Sequence, residues 1–238
     1  MRLDNLPDKI VESMYSPELD QLGIDLAEVA FDALLKDGTL KNLPIIGSIV
    51  TLFKGTLDIR DRICVAKIAQ FLFNLASIPL EQRESFEREI RRDAKTKRKV
   101  GTSLVLILDR LNDIEKTVFL VRCFGAYLCK NISFDQFRRL SGAIDIAFVD
   151  DLRSICRYPS KAEQEEQTRL SSLSRTGFVE FRASGIQGTW NEMGTIEYSL
   201  SPLGRQFVSI VTSSDLQRSE YLGSRILLLL QAAPNYGG

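Results

Sequence analysis

Histidine does not occur anywhere in the 238-residue chain. That absence excludes Ser-His-Asp and Cys-His nucleophilic sites, His-bearing zinc sites, the two-His iron triad and imidazole-based pH switches. Cysteine is sparse: Cys64, Cys123, Cys129 and Cys156 show no CxxC spacing, and three of them sit in apolar helical patterns, so they read as buried thiols. No GxGxxG follows a strand, and neither GxxxxGK[ST] nor GxSxG occurs. Excess charge is missing too. Lys plus Arg number 31 and Asp plus Glu number 31, which removes the whole-molecule attraction to polyphosphate of a dedicated nucleic-acid binder. No apolar run approaches the roughly twenty residues of a membrane span.

What remains for catalysis is carboxylate, Lys, Tyr or Cys chemistry. The carboxylate pairs are Asp58 with Asp61 and Asp150 with Asp151. Asp58 and Asp61 have Arg60 and Arg62 as neighbours, so that cluster reads as a set of salt bridges locking a turn. The expectation is a non-enzymatic protein with no cofactor and no bound metal.

The chain has an ordinary globular composition, 44% hydrophobic and 26% charged, with length for one or two domains. Its zero net charge is a sum of unlike parts. Residues 1–50 carry 4 basic and 9 acidic side chains, whereas residues 51–100 carry 12 and 7. The opening MRLDNLPDKIVESM has acidic residues and no apolar run, unlike a secretory or transit leader, and the expected location is the cytoplasm.

Residues 1–21 read as an N-terminal arm. Residues 22–150 read as an all-helical domain, because apolar residues recur there at three- and four-residue steps. Leu22, Leu26, Val29, Ala33 and Leu34 line one helix, stopped at Asp37-Gly38. Pro44 opens a short apolar helix to Phe53, and Ile63 to Ile78 forms a second. This 43–78 hairpin is expected in a core, with membrane contact as the alternative. After Pro79, EQRESFEREIRRDAKTKRK reads as one charged helix with a basic end. Arg91, Arg92, Lys95, Lys97, Arg98 and Lys99 there form a candidate patch for phosphate, an acidic partner or anionic lipid, or simple dipole compensation at a helix C-terminus. Gly101 restarts the chain into a central helix around Leu104, Ile107, Leu108 and Leu111. Another helix follows from Glu115 to Leu128. Ser133 with Gln136 then predicts a capping box.

Beyond Arg157 the pattern changes. A polar helix ends at Gly177, Phe178 to Arg182 and Thr195 to Leu200 alternate as a β-hairpin, and Ser201-Pro202 opens a final helix to Val211. The fold class is therefore mainly α, a multi-helix domain followed by an α+β module with one hairpin. Residues 151–212 form that module and 213–238 a C-terminal helix and tail containing Tyr221 to Leu230.

Leu170-Ser-Ser-Leu-Ser-Arg-Thr-Gly-Phe-Val179, followed by Tyr198-Ser-Leu-Ser-Pro-Leu-Gly-Arg-Gln-Phe207, resembles the MarR-type winged helix, with Ser201 where that pattern carries Thr. The resemblance covers about 50 residues. It implies a third helix for the DNA major groove and a wing for phosphate. Lys161, Arg169, Arg175, Arg182, Trp190 and Arg205 are the candidate nucleic-acid or partner contacts. From Tyr158 to Leu200, however, 4 basic residues face 6 acidic ones, and the wing from Ala183 to Thr195 has no basic residue. That balance favours protein contact or self-association over DNA.

Asp37 to Val50, continued by Asp58-Ile-Arg-Asp-Arg-Ile, resembles a group of uncharacterised bacterial cytoplasmic proteins with a PIvG run and an IRDR-like element, and implies no reaction. Glu115 to Asp145 resembles the helical repeat of TerB-like tellurite-resistance domains, without their acidic metal-site pattern. The functional expectation is an intracellular bacterial interaction protein binding a protein partner or a second copy. A DNA-binding regulator or nucleic-acid sensor, and a membrane-acting effector in phage defence or toxicity, are the alternatives.

Overall fold

The computed structural model describes residues 5–16, 19, 42–52, 59–157, 164–184 and 195–213. The helices expected at 22–34 and 221–230 lie outside the described residues, as do Lys161 and Trp190.

The described chain is mainly helical with one two-stranded antiparallel sheet. Helices α1 (Leu6–Ser13), α2 (Pro44–Leu52), α3 (Ile59–Leu75), α4 (Leu80–Ile90), α5 (Ala94–Arg110), α6 (Lys116–Leu128), α7 (Phe134–Ile146) and α8 (Val149–Arg157) come first. They are followed by α9 (Gln164–Ser172), a 3-10 turn (Leu173–Thr176), strands β1 (Val179–Ser184) and β2 (Thr195–Leu200), and α10 (Pro202–Thr212).

Local signals explain most boundaries. Pro44 stands at the first position of α2, and Ser13 at the end of α1 accepts the Ile45 N–H at 3.0 Å, supplying a partner for an otherwise free helix-start donor. Ser133 and Gln136 form both halves of the capping box. Ser201 accepts the Gly204 N–H at 3.0 Å and caps α10. Gly177 adopts φ of 82°, the left-handed conformation that a side chain disfavours, where the 3-10 turn passes into β1.

Three expectations are corrected. The charged segment 81–99 is two helices, because Asp93 adopts extended backbone and accepts from the Lys95 N–H and the Thr96 hydroxyl, at 2.9 and 2.5 Å, starting a new helix. Gly101 lies inside that new helix, where a Cβ would stand 2.0 Å from the Pro7 carbonyl oxygen; it permits α1 to cross α5. The most enclosed helix is α6, with Phe119, Leu120, Val121, Cys123, Phe124 and Leu128 all buried, whereas α5 leaves Leu106 57% exposed.

Buried apolar residues from Ile10 to Val211 form one hydrophobic cluster. Within it Phe124 meets Phe71, Phe86, Tyr127 and Phe137 at ring distances of 5.3 to 6.3 Å, edge-on or tilted. Phe207 on α10 touches Phe119 on α6 at 5.8 Å and Phe178 at 4.6 Å, which joins the hairpin to the helical body.

Among the described residues, four buried cations fasten the ends of other helices. Lys67 donates to the Asp109 and Leu111 carbonyls at 2.7 and 2.8 Å, and Lys116 to the Asp145 carbonyl at 2.8 Å. Arg83 donates to the carbonyls of Ile78 and Met14, and Arg122 to that of Val211. In each case a positive group meets carbonyls near a helix C-terminus, where the aligned peptide dipoles leave partial negative charge. Burial lowers the affinity of both Lys67 and Lys116 for their protons.

Candidate interaction surfaces

Two surfaces stand out, one basic and one apolar. The basic surface begins where α4 ends. Arg91 turns back to Glu87 at 2.5 Å, Lys97 reaches Asp8 at 4.0 Å, and Lys130 pairs with Glu89 at 2.6 Å. Arg92, Lys95, Arg98 and Lys99 are exposed, and none has an ion-pair partner among the described residues. The splitting of the charged segment changes their setting. Lys95 and Lys97 occupy the first turn of α5, which carries no acidic residue after its cap, so they face the positive end of a helix dipole. Dipole compensation explains positive charge at a helix C-terminus and cannot explain it here.

Lys99 lies 5.1 Å from the centre of the Phe134 ring at the start of α7. Eleven residues further along both helices, Arg110 pairs with Asp145 at 3.1 Å. The two helices therefore run parallel, with both N-termini at one end of the molecule. One turn beyond Phe134 on the same face is Arg138, exposed and likewise without an ion-pair partner among the described residues. The sequence reading does not single out Arg138, because its place beside α5 depends on a tertiary contact that no local signal announces.

The apolar surface is one face of the hairpin. The register sets Val179 against Leu200, Phe181 against Tyr198 and Ala183 against Ile196, all on one side. Near the body this side is covered, with Val179 buried. Away from the body it is open: Phe181 is 65% and Ile196 51% exposed. The opposite side carries Glu180, Arg182 and Glu197, with Arg182 directly opposite Glu197.

Among the candidate hairpin contacts, Arg175 is exposed on the 3-10 turn, Arg182 faces Glu197, and the Arg205 guanidinium donates to the Leu200 carbonyl. Arg169 falls within α9, and its side chain lies outside the described part of that helix. The structure does not gather these residues into one cluster with those of α5: the Arg205 guanidinium is engaged by the Leu200 carbonyl, Arg182 lies on β1 opposite Glu197, and Arg92, Lys95, Arg98 and Lys99 lie on a different element.

A cavity of about 410 Å³ opens between α4 and the α6–α7 turn, lined among others by Phe86, Glu89, Tyr127, Lys130 and Gln136. Burial, and secondarily Glu89, pushes the Tyr127 phenol up to about 12, so it stays protonated at neutral pH. The thiols divide: Cys123 is buried, Cys64 and Cys156 are half-buried, and Cys129 is exposed with its sulfur 3.1 Å from the Gln82 side-chain oxygen. Burial raises the Cys64 and Cys123 thiols above their ordinary range, which suppresses thiolate formation.

Arg60 lies 3.7 Å from Asp109 but is 83% exposed, so this pair is screened by water and joins α3 to α5 only weakly. The lock expected between Asp58 and the neighbouring arginines involves a residue outside the described ones. Among the described residues no single helix is long and apolar enough to cross a membrane; α3 and α4 together pass by length and composition but bend by 113°. The apolar side of α3, including Val65, Ile68, Phe71 and Leu72, is buried in the core.

No protein-family model, curated protein or solved structure matches the chain.

Proposed function

We propose that this chain is a non-enzymatic intracellular interaction protein, in which a helical body holds a β-hairpin for contact with a protein partner or a second copy of itself. The observation that carries this reading is the open apolar face made by Phe181 and Ile196. Aromatic and aliphatic residues held rigidly in water are what protein interfaces bury at their centres. The two-stranded sheet also presents edge hydrogen-bonding groups, and strand addition uses just such an edge together with side-chain pockets on one face.

A winged-helix reading of the α9, 3-10, β1, β2 and α10 order remains the next proposal, because the element order is that of the end of such a module. Use of the hairpin for DNA has less support. Arg175, Arg182 and Arg205 are exposed, but Arg182 lies opposite Glu197 and the Arg205 guanidinium donates to the Leu200 carbonyl. A duplex contact requires several aligned cations. Release of the 43–78 hairpin into a membrane has the least support, since it would strip the core of α3.

Affinity capture from the source cells after nuclease treatment tests the proposal. The expected result is a defined protein, or additional copies of the chain, retained with wild type and lost with Phe181→Ser/Ile196→Ser. Retention of the same protein by that variant contradicts it.

A further inference from the structure

The hairpin accounts for one surface and leaves the basic one unexplained. Its position is unusual in physical terms. The first turn of α5 already carries partial positive charge from its peptide N–H groups, the α7 N-terminus lies beside it, and the chain adds Lys95, Lys97, Arg98 and Lys99 at that same end. Arg92 precedes them and Arg138 lies one turn into α7. Nearby carboxylates are few. Asp93 is committed to capping, Asp8 and Glu87 are paired, and Asp135 alone lies on the entry turn of α7.

We infer that this surface, Arg92, Lys95, Arg98, Lys99 and Arg138, binds the phosphate backbone of a nucleic acid, independently of the hairpin. The chemistry favours phosphate over an acidic protein. From Arg91 to Lys99 the only apolar side chain is Ala94, and Phe134 lies beneath the Lys99 ammonium, so the patch lacks the apolar centre around which protein interfaces form. A lipid surface is disfavoured by the same lack, since no aromatic or long aliphatic side chain projects from the patch to insert. Arg98 and Lys99 stand three and four residues after Lys95 on one helix, each about 5 to 6 Å from it, a cluster of like charge suited to a chain of repeated phosphates. Helix N-termini add backbone-derived positive potential of the kind that meets phosphates in protein–DNA contacts. With phosphate as the recognised group and no exposed aromatic in the patch for stacking, binding is expected to be independent of sequence.

Five cations imply about four phosphate contacts, and hence a fall in affinity of about 100-fold between 50 and 200 mM salt for B-DNA. The test is fluorescence anisotropy with labelled 20-base-pair duplex DNA and RNA of two unrelated sequences, measured across salt on the full chain. Polyglutamate and phosphatidylserine vesicles serve as comparison ligands. Lys95→Gln/Arg98→Gln/Lys99→Gln is expected to weaken binding at least about tenfold and to flatten the logarithmic salt slope by about 2 to 3, with thermal melting unchanged or raised. Arg175→Gln/Arg182→Gln, on the hairpin and the 3-10 turn that leads into it, is expected to bind as wild type. Failure to bind either nucleic acid at 50 mM salt overturns the inference. So does binding that the hairpin variant loses and the α5 variant keeps, or equal affinity for polyglutamate or for the vesicles.

Discussion

Lys99 holds its ammonium 5.1 Å from the centre of the Phe134 ring, tying the entry of α5 to the entry of α7. Together with the Arg110 to Asp145 pair, this contact makes the two helices parallel and collects positive charge at one end. A like-signed charge at the start of a helix costs stability, so reversing it should return some. Lys95→Glu, at the second position of α5, is predicted to stabilise the fold by about 0.3 to 1 kcal/mol at low ionic strength, and the gain should shrink as salt is added. Thermal melts at two salt concentrations check this; a lower melting temperature for the variant contradicts the dipole argument.

The buried ammonium of Lys67 and the exposed guanidinium of Arg60 sit on the same helix and address the same end of α5, yet their contributions should differ sharply. Lys67→Met leaves the Asp109 and Leu111 carbonyls without their donor and is predicted to cost about 1 to 3 kcal/mol. Arg60→Ala removes a pair that water screens and is predicted to cost less than about 1 kcal/mol. Urea denaturation of the two variants side by side distinguishes them, and equal losses would show that the buried contact is not what fastens the helix end.

Glycines within the helices predict opposite outcomes according to what faces them. Gly204→Ala would set a Cβ 2.0 Å from the Phe178 carbonyl oxygen, and Gly101→Ala 2.0 Å from that of Pro7. Both obstacles are backbone, so α10 and α1 must move away, at a cost of about 1 to 3 kcal/mol or more. At Gly142 no atom lies within 4 Å of where an added methyl would stand, and Ala there should stabilise by about 0.5 to 1 kcal/mol through the unfolded chain. Chemical denaturation reads all three, and a stabilising Gly101→Ala would contradict the close crossing of α1 over α5.

Stability should also decline in alkali. Burial raises the Cys123 thiol and the Tyr15 and Tyr127 phenols, so the folded chain keeps protons that the unfolded chain releases. Their stabilisation is fully present below the ordinary values of 9.0 for a thiol and 10.0 for a phenol, and is lost as pH climbs through the folded values, for Tyr127 toward about 12. Lys67 and Lys116, lowered from 10.5, act in the opposite sense and soften the decline. Denaturation free energy between about pH 8 and pH 10.5 should fall with wild type and fall less steeply with Cys123→Ala, whatever the variant's absolute stability. An identical slope in both proteins contradicts this assignment.

Much of the local architecture was legible because it is written in neighbouring residues. Ser133 with Gln136, Ser201 with Pro202, Pro44, and Gly177 each act within a few positions, and the alternation from Phe178 to Arg182 and from Thr195 to Leu200 marks the two strands. The misreadings arise where the deciding partner is distant in sequence or the geometry is hidden in a uniform run. Asp93 is one acidic residue among many charges, and only its cap geometry divides α4 from α5. Gly101 resembles a break because the Pro7 carbonyl that requires it comes from α1. Nothing local singles out Lys67, Lys116, Arg83 and Arg122, since the carbonyls they satisfy belong to segments up to 89 residues away. Arg138 is visible as a polar position of an amphipathic helix, but the pairing of Lys99 with Phe134 is what brings it to the basic surface.

The hairpin as a protein-contact surface is tested most directly by amide hydrogen exchange over residues 179–184 and 195–200, in the isolated chain and in the nuclease-treated complex captured from its source cells. The account predicts that the hairpin amides exchange more slowly in the complex, and that Phe181→Ser/Ile196→Ser forms no such complex. Unchanged hairpin exchange, with protection appearing elsewhere, would contradict it.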